Sequence, residues 1–309
     1  MSVTIYFGKV NLLSSDIYDV YSGKSELRQI LEVVLGCFRD GMTYIEERPI
    51  YIEGEEVKID EIKYTVSLKE KTDEYIRGYI YKQSKLYYKK MDNGSDELKS
   101  KFVENTESIE FYFDVFNEII GYYTSVRFGN KKFLEIFTQI LNKCMEENNK
   151  EYRFLVDRYS EGMDLKQIKS ELKKIQGIQR LVFTFKPVNP DEDILRSIRD
   201  NGIDELKRYE NANLSTKSII LTSTSTLGLN INSEIINESL NEIDNLQKDV
   251  SAKMALSKGY AKVEAIGKNG VKYSTEDHKP VTRKIRRVEE FAQACKDFIS
   301  ICKSGNIIE

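Results

Sequence analysis

The spacing of hydrophobic and polar residues changes several times along the chain, and each change predicts a new element. Residues 2–10 alternate, with Val3, Ile5 and Phe7 on one side, as a half-buried strand does. From 25 to 40 the apolar residues fall at 27, 31, 34 and 38, one face of a helix with Ser25 as its expected N-cap. Period two then returns. EIKYTVSLKE, DEYIRGYIYK and SKLYYKK are rich in β-branched and aromatic residues and predict a meander or hairpin sheet. The polar stretch MDNGSDELKSKFVENTES, 91–108, is expected to break that sheet as an exposed loop.

Next, IEFYFDVFNEIIGYYTSV predicts two strands around a turn at Asn117 and Glu118. FGNKKFLEIFTQILNKCMEENN supplies a turn and a helix with Phe133, Ile136, Phe137 and Ile140 on one face. YRFLVDRY, DLKQIKSELKKI, RLVFTFKPV and DEDILRSIRDNGIDELKRYE then alternate as a βαβα unit would. IILTSTSTL reads as a strand, SEIINESLNEIDNLQKDV as a helix, and GYAKVEAIG with VKYST as a hairpin around Lys268, Asn269 and Gly270. A final helix is expected to begin near residue 283. Its Ile285, Val288, Ala292, Cys295, Ile299 and Cys302 form a seam that suits either the chain's own sheet or a partner helix.

This order predicts an α+β fold of mixed, largely antiparallel sheets with packed helices in two lobes. The β-rich lobe spans 1–128 and is completed by the basic hairpin and terminal helix of 255–309. An α/β lobe spans 129–254 and is the candidate dimerisation region.

Composition narrows the function classes. With 309 residues, 40% apolar, 31% charged and four prolines, the chain can bury a large core and reads as an ordered globular protein. Its apolar runs are too short for a membrane span, and the strand-like start lacks the h-region of a signal peptide, so a cytoplasmic location is expected. The cysteines at 37, 144, 295 and 302 form no CxxC pair and suggest reduced, mostly buried thiols. Charge is unevenly spread. From Lys253 to Arg287 there are ten Lys or Arg against three Asp or Glu, a local net of +7 that leaves −10 for the rest of a chain of net −3. Such asymmetry is the footprint of a surface that meets a polyanion, or of a solvated basic face.

Catalytic signals are sparse. His278 is the single histidine and sits in a charged, turn-like context; GxSxG, GxxxxGK[ST], HExxH and GxGxxG are all absent. Asp60, Glu61 and Lys63 have the acid-x-lysine spacing of metal-dependent nucleases. With so many charged residues, chance alone supplies roughly seven or eight such triplets. No cofactor and no metal site are expected. The phosphate-binding candidates are Lys262, Lys268, Lys272, Lys279, Arg283, Lys284, Arg286 and Arg287. If residues 283–287 open a helix, Arg286 can pair with Glu289 or Glu290 and Arg287 with Glu290, whereas Arg283 and Lys284 lack acidic partners one turn on. A second candidate surface interleaves Arg77, Lys82, Lys85, Lys89 and Lys90 with tyrosines at 75, 79, 81, 87 and 88, as a single-strand platform or as an ordinary half-buried sheet.

Taken in order, IEFYFDVFNEIIGYYTSV, RFGNKKFLEIF, GIQRLVFTFKPV, KVEAIGKNGVKYS and the cysteine-containing terminal helix resemble the RexA-like phage exclusion family over residues 105–303. The resemblance implies a homodimer that binds double-stranded DNA with little sequence preference in phage exclusion or abortive infection. It also implies a membrane-protein partner encoded nearby and a likeness to the recombination protein RdgC. The family's DNA-contacting basic strand would fall around Lys262 and Lys268, while the first hundred residues match poorly. The leading expectation is therefore non-enzymatic, sequence-nonspecific DNA binding in phage defence. A protein-interaction module recognising an acidic partner is the alternative, and a Mg²⁺-dependent nuclease comes third.

Overall fold

The computed structural model describes residues 2–52, 55–91, 98–125, 127–190, 195, 203–244, 246 and 250–303. Every strand pairing among them is antiparallel, and helices pack on both sheets, which makes the fold α+β.

The larger sheet is a curled half-barrel. Its order is β12 (Thr282–Ile285), β1 (Val3–Leu12), β6 (Ile119–Tyr123), β5 (Leu98–Asp114), β4 (Tyr75–Met91), β3 (Glu55–Lys71) and β2 (Thr43–Ile52). β7 (Phe154–Arg158) shares one edge of β1 with β12. Period-two burial gives this sheet two different faces. One carries Tyr64, Val66, Ile76, Ile80, Ile109, Phe111 and Tyr122 into the main core. There α2 (Leu27–Cys37) and α3 (Asn130–Glu147) cover it, with Phe38 and Phe137 against Phe111 and Phe133 stacked on Tyr122 at 4.2 Å. The opposite face is covered over β1 and β6 by α8 (Phe291–Lys303). Phe298 stacks on Phe7 at 3.7 Å between ring centroids. Gly121 permits this approach, because a Cβ there would lie 2.5 Å from Cys295 Sγ. The cysteine seam thus packs on the chain's own sheet.

The smaller sheet runs β11 (Lys272–Ser274), β10 (Ala261–Gly267), β8 (Ile178–Phe185) and β9 (Lys217–Thr222). α4 (Leu165–Lys174) packs Ile168 and Leu172 onto it and begins with a capping box between Asp164 and Gln167. α6 (Glu234–Asp244) and α7 (Ala252–Ser257) complete that layer, while α1 (Asp16–Ser22) and α5 (Ile203–Asn211) lie near the junction with the larger sheet. One continuous core includes side chains from both sheets.

Several expectations are corrected. Residues 98–108 form strand rather than loop, extending β5 to 17 residues; 92–97 lie outside the described residues. Its chain partner β4 likewise unites the segments read as separate strands. The 154–185 segment is not a βαβ unit: β7 joins β1 in the larger sheet and β8 pairs antiparallel with β9 and β10 in the smaller. Hydrogen-bonding partners, which alternation alone does not specify, decide this. Ser25 does not cap α2; the cap position is Glu26, and the Ser25 hydroxyl is buried without a partner. The helix expected over 191–210 is seen as α5, and most of its first half lies outside the described residues. Lastly, 283–287 does not open a helix. Thr282–Ile285 is strand β12, a 3₁₀ turn follows at Val288–Glu290, and α8 begins at Phe291.

Candidate nucleic-acid interface

The basic segment is strung across both sheets. Lys272 pairs with Ile266 at the hairpin end of β10, and Gly270 takes φ +72° in the turn beside Lys268. The chain then runs past Thr275, whose hydroxyl accepts from Val263 N–H, and past Pro280, which bridges Ser160. It reaches β12, where Lys284 sits opposite Thr4 and Arg283 opposite Ile5. Lys272 and Lys284 therefore mark two ends of a connection that can span at most ~40 Å of extended chain. The last part of the segment is strand and 3₁₀ turn in place of the helix start that the sequence suggested.

Folding sorts these cations into two groups. Lys262 is held by Glu264 at 3.1 Å and Glu276 at 2.8 Å. Burial works against its ammonium, but the carboxylate bonds outweigh this and raise its pKa. Lys279 lies 3.8 Å from Glu161, and Arg283 donates to the Ala294 carbonyl at 3.4 Å over α8. By contrast, the side chains of Lys268, Lys272, Lys284, Arg286 and Arg287 are exposed and have no ion-pair partner among the described residues. The anticipated pairing of Arg286 and Arg287 with glutamates is absent there, because without a helix the i+4 geometry is lost. Glu290 instead accepts from the Arg286 backbone N–H at 3.3 Å.

The tyrosine–lysine sheet is divided by its pleat. Arg77 is tied to Glu110, whose side chain is fully buried, at 2.7 Å; Lys69 reaches the same carboxylate at 3.5 Å. Lys82 points to the opposite face, donating to the Arg127 carbonyl at 3.0 Å and lying over Phe128. Lys85 contacts Asp60 at 3.4 Å and the Phe102 ring at 5.2 Å, while Lys89 and Lys90 are exposed near the end of β4. Cross-strand register then reveals a grouping that single segments hide. Ser67 is opposite Tyr79, Thr65 opposite Tyr81 and Lys63 opposite Gln83. Tyr79 and Tyr81 lie 6.0 Å apart, with Lys69 Nζ 5.7 Å from the Tyr79 ring. Lys63 and Lys69 were missed as members of this face; the period-two pattern of β3 carried their signal, but not the register that unites them with the tyrosines.

The nuclease constellation does not assemble. Asp60 is buried against Lys85, and its sequence neighbour Glu61 projects to the opposite side of the strand. Among the described residues, no three His, Cys, Asp or Glu side chains cluster as metal ligands would. The carbonyl of His278 accepts from Arg158 at 3.2 Å.

A further polar group lies buried between the sheets. Lys9 donates to Glu118 at 2.7 Å, and Asn189 bonds the same carboxylate. Beside them Lys186 donates to both oxygens of Asp157 at 2.8 and 2.9 Å, and Asn11 adds a third bond at 2.8 Å. These residues come from β1, β7 and the turns after β5 and β8, so the network ties the two sheets together.

No helix among the described residues is long and apolar enough to cross a membrane. No curated protein matches the chain. Residues 45–302, which take in most of both sheets, the basic segment and nearly all of α8, match the family model described as Domain of unknown function (DUF4747), and the chain belongs to that family.

Proposed function

We propose that this chain is a non-enzymatic, cytoplasmic protein that binds DNA through its phosphates, without reading base sequence. The observation carrying this reading is the sorting of the cations between 262 and 287. Elsewhere Lys24, Arg39, Lys131, Arg153 and Lys174 each find a carboxylate, while Lys89, Lys90, Lys166 and Arg180 are exposed with no ion-pair partner among the described residues, so what sets 262–287 apart is how many such cations one short segment holds. Lys268, Lys272, Lys284, Arg286 and Arg287 remain exposed and unpaired in a chain whose net charge is −3. Unpaired cations on an acidic protein attract a polyanion and release its counterions on contact. The resemblance to RexA-like proteins supports phage exclusion as the biological setting.

Gel-shift titration against two unrelated duplexes tests the proposal. Affinity should be equal for both and fall steeply with salt. The triple variant Lys284→Glu/Arg286→Glu/Arg287→Glu should lower the logarithmic salt slope by about 3, at roughly 0.9 per phosphate contact. Absence of binding at 50 mM salt, or an unchanged slope in the triple variant, would reject this reading.

The open sheet face favours a second reading, single-strand binding, because Tyr79 and Tyr81 adjoin Lys69. Tyr81→Ala should then weaken single-stranded DNA by about 1–3 kcal/mol while sparing duplex. Equal loss for both substrates counts against a stacking platform.

A further inference from the structure

β5 has a partner on one side along its whole length and on the other side along only part of it. All 17 residues pair with β4 in continuous register, from Leu98 opposite Met91 to Asp114 opposite Tyr75. On its other edge β6 pairs only with Phe111–Asp114. The loop after β6 approaches as far as Glu107, where Ser125 Oγ lies 3.5 Å from the carboxylate. Among the described residues nothing pairs with that edge from residue 98 to 106. Every second residue there directs its N–H and C=O outward, an open template for another strand.

The terminal edges of both sheets are limited or blocked, and the one comparable opening is on β4 of the same hairpin, where pairing with β3 stops at Gln83 and residues 84–91 have no strand partner on that side among the described residues. β12 has four residues, β11 three and β9 six. β2 contains Pro49, and Lys143 of α3 occupies its Thr43 carbonyl at 2.7 Å. The β5 edge has neither proline nor bulge. It also exposes large apolar side chains: Phe102 is 51% exposed and Val103 53%, beside Tyr87 and Tyr88 on β4. Tyr87 already sits opposite Phe102, with ring centroids 5.8 Å apart.

We infer that the free edge of β5 pairs antiparallel with the same edge of a second copy of this chain. Two-fold symmetry about an axis normal to the sheet places one residue opposite its own copy, and side-chain charge selects which. Centring on Lys101 or Glu104 sets like charges face to face, and centring on Val103 puts each Phe102 ring opposite a Glu104 carboxylate. Centring on Phe102 puts Phe102 opposite Phe102 and extends the Tyr87–Phe102 pair into a four-ring row. It also lays the Lys101 stem on Val103 of the other copy, where the ammonium stays in water. The dimer sheet continues across the join, and the exposed rings leave water.

Sizing by analytical ultracentrifugation in the absence of nucleic acid tests the interface separately from DNA binding. The native chain should be dimeric at micromolar concentration. Phe102→Asp and Thr106→Pro should each shift it to monomer with at least a tenfold weaker dimer constant, with an unchanged circular dichroism spectrum. Phe102→Cys should form an intermolecular disulfide under mild copper–phenanthroline oxidation, whereas Ile59→Cys, exposed on β3, should not. A native monomer at 100 µM overturns the proposal. So does a dimer that persists in both edge variants and fails to cross-link through Phe102→Cys.

Discussion

The inner and outer halves of the β4–β5 hairpin share strands and one continuous register, yet meet opposite environments. In the inner half Ile76, Ile80, Ile109, Phe111 and Phe113 are fully buried under α2 and α3. In the outer half Tyr87, Tyr88, Phe102 and Val103 are exposed. Local sequence marks the outer part of β5 as more polar, with Leu98, Phe102 and Val103 its apolar residues between 98 and 108, but does not show that it continues the ladder. What differs is whether another layer is stacked on the ladder, and a sheet face becomes core only where such a layer arrives.

The largest expected effects lie in the inner half. Phe111→Ala should cost about 3–5 kcal/mol, because α3 cannot collapse fully into the space left by the ring. Arg77→Met leaves the buried Glu110 with only the more distant Lys69 as a cation and the Tyr123 hydroxyl as a donor, at a similar cost of about 3–5 kcal/mol. Adding Glu110→Gln should recover part of that loss, and recovery measured by urea unfolding would separate a charge effect from a packing effect. If Arg77→Met alone is neutral, the pair does not stabilise this face.

Overpacking comes next. Gly121→Ala drives a methyl against Cys295 and should destabilise by about 1–3 kcal/mol. Cys295→Ala in the same chain should relieve most of it, which thermal melts of the single and double variants would show. In the outer half Phe102→Ser should change the stability of dilute monomer by no more than about 0.5 kcal/mol. A loss comparable with that of Phe111→Ala would mean that the outer half has a covering layer and would erase the contrast.

The smallest effect concerns the thiols. Burial pushes Cys302 up to about 11 and Cys144 up to about 12, and raises Cys295 as well. At pH 8 all three should remain protonated and react slowly with iodoacetamide. For Cys302 the rate should rise about tenfold per pH unit below its pKa, since thiolate fraction sets it. Mass spectrometry of labelled sites would reveal a contrary, fast-reacting Cys302.

The basic segment separates legible from illegible features in the same way. Its charge excess was visible in the residues, but which cations remain free was not. Glu276 neutralises Lys262 from 14 positions away, Glu161 approaches Lys279 from the far side of the chain, and α8 claims Arg283. The four cations at 283, 284, 286 and 287 looked like a helix start because Val288 and Ala292 fit a helical period with Ile285. Pairing with β1 overrides that period for residues 282–285.

Sequence alone determined the α+β class, the hairpin turning at Asn117 and Glu118, the glycine hairpin at Gly270 and the buried face of α3. Each depends on side chains a few residues apart, where periodicity and turn chemistry act. Tertiary structure decided the partners of β7, β8 and β12, the burial of one end of the β4–β5 ladder, and the ion pairs that hold or release each cation. Those outcomes depend on groups far apart in the chain, such as Lys9 with Glu118 and Asn11 with Asp157, brought together only when the sheets close around a common core.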